Sequence, residues 1–276
     1  MAVKLIALDL DGTTLTKTKA LTERNARALT AAIDKGINVV IATGRCYNAI
    51  PSVMKDFPGL QYAVSSNGAM LTDIRTGERI VEKYHDPENV EKMAKIIRPL
   101  DIYKDMSEIF VDGQAYLKRE VYEATQRGEI GYRTREYVLQ TRKPVDDHLA
   151  FMLDHADMVE NVNIFFPSEE ERKRVRPKFE NLTGVTITTS WDWNIELGPP
   201  DCSKAGTLEE LIKILGVSRD EIMACGDNMN DLEMMKLAGI PVAVANAKDA
   251  VKDAAVFVTA DNNSDGVGIA IEKFAL

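Results

Sequence analysis

The chain has 276 residues, 45% of them apolar, enough for a large core in one or two domains. Its net charge of −9 and pI near 5.0 argue against nucleic acid as the main partner, because a phosphate backbone calls for basic surface; a small phosphorylated ligand needs only a local positive site. Cys46, Cys202 and Cys225 have no CxxC spacing and support neither a disulfide framework nor a zinc site, and no leader or membrane-length apolar run is visible, so a cytoplasmic protein without a membrane partner is expected.

Leu5-Ile6-Ala7-Leu8 runs straight into Asp9-Leu10-Asp11-Gly12. An unbroken apolar run of this length predicts a strand covered on both faces, as in a parallel sheet. Residues two apart on an extended backbone share a side, so Asp9 and Asp11 are expected to converge past the strand's end. Such a pair is tolerated when a cation sits between the acids or when one keeps a proton. Taken alone, Asp-x-Asp-Gly fits a plain turn equally well. Helical spacing follows from Leu21 to Lys35, with Thr22 as N-cap and Gly36 just past the end. Ile37 to Ala42 is a second buried strand, ending in Thr43-Gly44-Arg45, and a helix is expected from about Tyr47 to Lys55. Tyr62 to Ser66 is a third strand, followed by the turn dipeptide Asn67-Gly68. Short strands at Ala69 to Leu71 and Arg79 to Lys83 make a hairpin.

From Asp86 to Leu197 the strands become shorter and more polar. Pro87 to Ile97 predicts a helix. Ile109-Phe110-Val111 and Ala115-Tyr116-Leu117 flank Asp112-Gly113 as a hairpin. Ser168-Glu169-Glu170-Glu171 is a capping box opening a helix to about Asn181, with strands at Val185 to Thr189 and Asn194 to Leu197. Tyr132 to His155 has weak periodicity and no assigned element. Strand–helix alternation returns at Cys202: a helix from Lys204 to Leu215, then the strand Ile222 to Cys225. That strand leads into Gly226-Asp227-Asn228-Met229-Asn230-Asp231. The pattern predicts an α/β fold, with a doubly wound, Rossmann-like parallel-sheet core formed by residues 1–85 and 198–276. Residues 86–197 are expected to form one inserted α+β domain.

Three core strands thus end in polar loops, at Asp9-x-Asp11-Gly12, Thr43-Gly44 and Gly226-Asp227. In a parallel sheet these loops open on one edge, which would gather Asp9, Asp11, Thr43, Asp227 and Asp231. Several carboxylates in one cleft suit Mg²⁺, which takes oxygen ligands. No histidine cluster competes: His85, His148 and His155 lie at or beyond the module boundary and read as surface or packing residues. Each element alone also has a plain reading. Gly226-Asp227 fits a turn with Asn228 or Asn230 as N-cap, Thr43 fits an N-cap, and Lys204 and Arg45 fit a solvated surface. Their combination, in this order and at strand ends, points to a site.

On four motifs the chain resembles a known family: Asp9-Leu10-Asp11-Gly12-Thr13, the apolar run into Thr43-Gly44, Lys204, and Gly226-Asp227-x-x-Asn230-Asp231. They resemble the haloacid dehalogenase-like phosphohydrolases, and among them the Cof-type sugar-phosphate phosphatases with a large cap after the third core strand. The resemblance spans the whole length. One departure is that Ala205 follows the motif lysine where the family usually has glycine, and Gly206 comes one later.

What the resemblance implies is a Mg²⁺-dependent phosphatase of small phosphorylated metabolites. Asp9 would attack phosphorus to form an aspartyl-phosphate, and Asp11 would act as general acid and then base. The metal would be held by Asp9, the Asp11 backbone carbonyl and Asp227, with Asp231 binding directly or through water. Thr43, Gly44, Lys204 and Asn230 would hold the phosphate, with Asn67 and Asn246 orienting these groups, and Gly12 would let the backbone come close. The cap would exclude water and contact the leaving group. Trp191 and Trp193 either touch a sugar there or only pack. A phosphomutase or a specialised phosphorylated-sugar phosphatase is the alternative enzyme. A phospho-acceptor signalling domain is the alternative outside enzymes; Asp11 and the insert speak against it.

Overall fold

The Leu5–Leu8 run has no polar side to offer water, and the fold buries it completely: strand β1 (Leu5–Leu8) lies between two parallel neighbours. A computed structural model of the chain describes residues 2–100 and 106–276. The chain divides into two compact units, one of Met1–Gly44, Ile50–Val81 and Ser203–Leu276, the other of Arg45–Ala49 and Glu82–Cys202.

The first unit is an α/β structure around an eight-stranded sheet. Its strands beyond β1 are β2 (Asn38–Ala42), β3 (Tyr62–Ser65), β4 (Met70–Asp73) and β5 (Arg79–Glu82), and later in the chain β12 (Ile222–Gly226), β13 (Ile240–Ala243) and β14 (Phe257–Val258). The spatial order is β14-β13-β12-β1-β2-β3-β4-β5. Strands β14 to β3 are parallel, and β4 turns back antiparallel on β3. Leu5, Ala7, Val40, Ala42 and Val64 pack on one side against Leu208 and Leu211 of helix Lys204–Leu215 and against Met234 and Met235. Strand alternation sends Ile6 and Leu8 the other way. Helix Glu23–Asp34 lies against β2 and against helix Gly266–Phe274. Buried Asn25 joins these two helices to the first loop: its Nδ2 donates to the Thr14 carbonyl, and its Oδ1 accepts from the Gly268 amide. Leu8 is level with Ile41 and with Cys225, so β1, β2 and β12 run out at the same edge. The residues that follow them are Asp9, Thr43 and Asp227.

The second unit holds a six-stranded sheet. In chain order its strands are β6 (Ser107–Val111), β7 (Gln114–Lys118), β8 (Arg142–Val145), β9 (Val159–Phe165), β10 (Thr186–Thr188) and β11 (Asn194–Gly198). Their spatial order is β10-β11-β9-β6-β7-β8, antiparallel except for the β7–β8 pair. Ile109, Val162, Ile164, Ile195 and Leu197 form an apolar face covered by Val90, Met93 and Ile97 of helix Pro87–Ile97 and by Val175 and Phe179. The other face carries Glu108, Asn163 and Glu196 side by side in register.

Two expectations need revision. The helix expected from Tyr47 to Lys55 is split into a 3₁₀ turn, Tyr47–Ala49, and a short helix, Ser52–Lys55. Pro51 stands between them; it lacks an N–H and pushes its predecessor out of helical backbone. Tyr132 to His155, left without elements, contains helix Arg135–Thr141, strand β8 and helix His148–Asp154. No helix among the described residues is long and apolar enough to cross a membrane.

His85 sits buried in the second unit with Nε2 3.0 Å from the Leu197 carbonyl oxygen, while Nδ1 is buried without a hydrogen-bond partner. Burial pushes its pKa down from 6.5 to about 4. The unfolded imidazole therefore takes a proton at a higher pH than the folded one. Stability is whole above about pH 6.5 and falls as the pH drops toward 4, by about 2–3 kcal/mol at pH 4.5. His85→Gln keeps an amide donor for Leu197 and cannot titrate. Urea unfolding at pH 7 and pH 4.5 should show a smaller acid loss in the variant than in the parent, and equal losses would remove His85 as the cause.

Candidate active site

The first loop is tight because one carbonyl organises it. The Leu10 oxygen accepts from the amides of Thr13, Thr14 and Leu15 at 3.4, 3.1 and 2.9 Å. The turn requires φ +88° at Gly12, and a Cβ there would stand 2.6 Å from Asp227 Oδ2, so only glycine allows this approach. Asp9 stays tied to the sheet: its amide donates to the Cys225 carbonyl at 3.1 Å, and its own carbonyl accepts from Thr14 Oγ1 at 2.5 Å. Thr13 Oγ1 donates to Asp227 Oδ1 at 2.8 Å, joining the loop after β1 to the loop after β12.

The loop after β12 closes on Asp231. Its Oδ2 accepts from the amides of Asp227 and Asn228, each at 3.0 Å. Lys204 enters at the first turn of helix Lys204–Leu215, where Ser203 Oγ caps the Gly206 amide at 3.0 Å. Alanine at 205 leaves that turn intact, and Ala205 packs against the first unit's core. The lysine is fully buried, with Nζ 2.7 Å from Asp9 Oδ1 and 2.7 Å from Asp231 Oδ1. One oxygen from each of Asp9, Asp227 and Asp231 lies within 4.8 Å of the others.

The electrostatics follow from burial and crowding. Burial pushes the Asp9 carboxyl well above the usual range; Lys204 pulls it back, and Asp231 and Asp227 add to the rise. Burial, then Asp231, lifts Asp227 to about 6. Burial works against the Lys204 charge, but Asp231 and Asp9 outweigh it and hold the ammonium protonated more firmly than an ordinary lysine. Three crowded acids with one buried cation make a site short of positive charge.

The remaining expected residues divide. The Asp11 carboxylate stays out of the triad and pairs with Lys19 Nζ at 2.6 Å. Strand β1 stops at Leu8, so the two-residue repeat that would align Asp11 with Asp9 no longer applies. Buried Thr43 is held at both ends, its amide donating to Val64 O at 2.9 Å and its carbonyl accepting from the Asn67 amide at 3.1 Å. Gly44 lies against Asn67, whose Oδ1 accepts from Asn230 Nδ2 at 3.1 Å. Asn246 Nδ2 donates to the Gly12 carbonyl at 2.8 Å. Arg45 belongs to the second unit, where its guanidinium lies 4.7 Å from the centre of the Tyr137 ring. Trp191 and Trp193 meet edge to face at 5.5 Å in that unit. Thr13 and Ser203 brace the site as well; nothing in the sequence marks Thr13 for this, whereas Ser203, three residues before Gly206 at a helix start, carries a readable N-cap signal.

The family model of the haloacid dehalogenase-like hydrolases matches residues 6–271. The chain belongs to that family. It is 27% identical to the 5-amino-6-(5-phospho-D-ribitylamino)uracil phosphatase YcsE of Bacillus subtilis, covering 99% of this chain and 96% of that one. It is 28% identical to the pyridoxal phosphate phosphatase YbhA of Escherichia coli, over 97% of each. Among solved structures it is similar to a haloacid dehalogenase-like hydrolase from Bacteroides thetaiotaomicron, with TM-score 0.80, 28% identity and coverage of 98% and 99%. A HAD subclass IIB sugar phosphatase superposes with TM-score 0.80 at 26% identity, over 99% of each chain.

Removing the buried ammonium of this hydrolase leaves Asp9 facing Asp231 without a counter-charge. Lys204→Met should cost about 3–5 kcal/mol in denaturant unfolding at pH 7 without divalent ions. Asp9, already raised by burial, then loses the lysine that pulls it back, so its folded pKa stands further above its unfolded one and part of the loss returns as the pH falls toward 5. A variant as stable as the parent at pH 7 would show that the ion pairs contribute nothing.

Proposed function

We propose that the chain is a Mg²⁺-dependent phosphomonoesterase of small phosphorylated metabolites, sugar phosphates foremost, working through an aspartyl-phosphate on Asp9. The observation that carries this reading is the buried Lys204 ammonium gripping Asp9 and Asp231, with Asp227 beside them. The donor set fits the ion. All its atoms are oxygens, and the crowding that lifts Asp9 and Asp227 is what a divalent cation would relieve. Asp9, Asp227 and the Asp11 backbone carbonyl would hold Mg²⁺. Asp231, whose oxygens already serve Lys204 and two amides, would reach it through water. Bound there, Mg²⁺ supplies positive charge against which a phosphoryl group can approach a carboxylate.

The chain's own residues would do the rest. Thr43 hydroxyl, the Gly44 amide and Asn230 hold phosphoryl oxygens, and Lys204 offsets their charge while fixing one Asp9 oxygen. Asp9 attacks phosphorus in line as the bond to the leaving oxygen breaks. Asp11, outside the crowded triad, would have to leave Lys19 and take up a proton before the first step, and would then donate that proton to the leaving alkoxide. It then takes one from the water that cleaves the aspartyl-phosphate, which releases inorganic phosphate and restores Asp9. We read residues 86–197 as a cap that selects the organic part of the substrate, in a cytoplasmic enzyme. The named activities of the pyridoxal phosphate, ribitylaminouracil and sugar phosphatases support the small-metabolite class.

Asp9→Asn should lower hydrolysis of p-nitrophenyl phosphate to background while the melting temperature is kept; surviving turnover would remove Asp9 as the nucleophile. Asp11→Asn should lose about 10²–10⁴-fold on alkyl phosphates and far less on p-nitrophenyl phosphate, whose leaving group needs little protonation. A flat loss across leaving groups would exclude Asp11 as the acid. Chelation with EDTA should stop turnover and added Mg²⁺ restore it, and an unchanged rate would refute the metal dependence.

A further inference from the structure

The second unit holds a cavity of about 560 Å³, a size that suits a small molecule. Its buried wall is Ala124 of helix Arg119–Gln126 together with Phe165 and Phe166, where β9 ends. Tyr132 and Trp193 complete an aromatic lining, and Trp193 is left 44% exposed. The backbone fixes these rings in place. The Phe166 amide donates to the Trp193 carbonyl at 2.8 Å, and the Phe165 amide donates to the Met106 carbonyl at 3.0 Å. Tyr132 meets Phe165 edge to face at 4.9 Å, and Trp193 meets Trp191 in the same way at 5.5 Å. A large apolar ring held open to water beside a preformed hollow is the arrangement of a binding site.

The charges around the cavity select its occupant. Among the described residues, Glu129 is the only charged side chain in its lining. An anion, a phosphate ester included, meets that carboxylate and no cation to offset it. A cation fares no better. The Arg133 guanidinium already lies 4.8 Å from the centre of the Phe165 ring and 5.1 Å from that of Trp191. It uses the negative faces of those rings and would repel a second cation beside them. The polar groups at hand are committed. The Tyr132 hydroxyl donates to Glu108 Oε1 at 3.1 Å, and the Glu129 carboxylate takes forked bonds from Arg127 at 2.7 and 2.9 Å. A sugar would leave its water there without replacing those hydrogen bonds. We propose that this cavity is a ligand site for an uncharged, flat aromatic molecule of one or two rings. Tyr132, Phe165 and Trp193 receive it by offset stacking and edge-to-face contact. Such a ligand is not the phosphorylated substrate, so the site goes beyond the phosphatase reading and does not depend on it.

Gly131, on the exposed rim, allows the cavity to be filled. Its backbone is not left-handed, and a Cβ built on it meets nothing within 4 Å, so Gly131→Leu adds a side chain at the opening without strain. The probe is benzimidazole at pH 8, where it is uncharged. Trp191 and Trp193 are the only tryptophans of the chain, so tryptophan emission reports on this unit. Titration of the parent should give a saturable change in emission with a Kd below about 1 mM. G131L should bind about tenfold more weakly or worse by calorimetry, with a melting temperature within a few degrees of the parent's. Trp193→Ala should give a similar loss. Benzamidine, a cation, and benzoate, an anion, should each bind about tenfold more weakly than benzimidazole or worse. Saturating inorganic phosphate with Mg²⁺ should leave the benzimidazole affinity unchanged. A parent that shows no saturable binding, parental affinity in G131L or W193A, equal binding of either charged probe, or displacement by phosphate would overturn the proposal. Should G131L melt early, W193A, which removes an exposed ring, decides in its place. The D9N variant should bind benzimidazole as the parent does, so a failure of the phosphatase reading leaves this site standing, and the loss of this site leaves that reading untouched.

Discussion

The ammonium of Lys204, buried between Asp9 and Asp231, is the contact on which the site depends. Three acids from two distant segments would repel one another, and burial would drive them toward neutrality, if nothing answered their charge. Two bonds of 2.7 Å to one cation hold Asp9 and Asp231 while Thr13 anchors Asp227 from the first loop. The lysine cannot reach this position by chain proximity: it lies 195 residues from Asp9. It is delivered by the helix that packs Leu208 and Leu211 on the sheet and by the Ser203 cap that fixes the first turn. The hydrophobic core and the charged site are thus two ends of one element, and repacking the helix would move the lysine.

The parallel register is what turns three separate loops into one edge. With Leu8 level with Ile41 and Cys225, the chain leaves β1, β2 and β12 at a common height, and each exit carries a polar residue. The loops are then stitched sideways by side chains: Thr13 to Asp227, Asn246 to Gly12, and Asn230 to Asn67. Precision in such a site comes from these lateral bonds, because each ties together loops far apart in the chain.

Much of the first unit was legible in the chain because its strands are continuous apolar runs and its helices carry caps, such as Thr22 for Glu23–Asp34 and Ser203 for Lys204–Leu215. The residues at the strand ends could be named for the same reason. Legibility failed where the rule stopped matching the geometry. Asp11 lies past the end of the strand whose alternation would have aligned it. Asn67 looked like a simple Asn-Gly turn, and nothing in the dipeptide told that three successive residues would be left-handed. In the second unit the longest strand of the sheet, β9, escaped notice because Glu160, Asn161 and Asn163 are poor strand formers on a propensity scale. Their place is fixed by partners far along the chain.

Those partners explain why a sheet face made of acids and amides is tolerable. Glu108 accepts forked bonds from both Arg133 and Arg142. Burial pushes its carboxyl up, but the two guanidiniums outweigh that and bring it down to about 2. The Arg133 guanidinium lies 4.8 to 5.2 Å from the ring centres of Phe165, Trp191 and Tyr137, so aromatic faces take the place of water around it. Buried ion pairs of this kind add little net stability over a well-packed apolar replacement. What they fix is register. Sliding β6 by one residue would carry Glu108 to the side of Ile109 and Val162, stranding its charge among apolar groups and leaving two arginines unpaired. The charges therefore specify which strand alignment the unit can adopt, in the same way that Lys204 specifies which acids the first unit brings together.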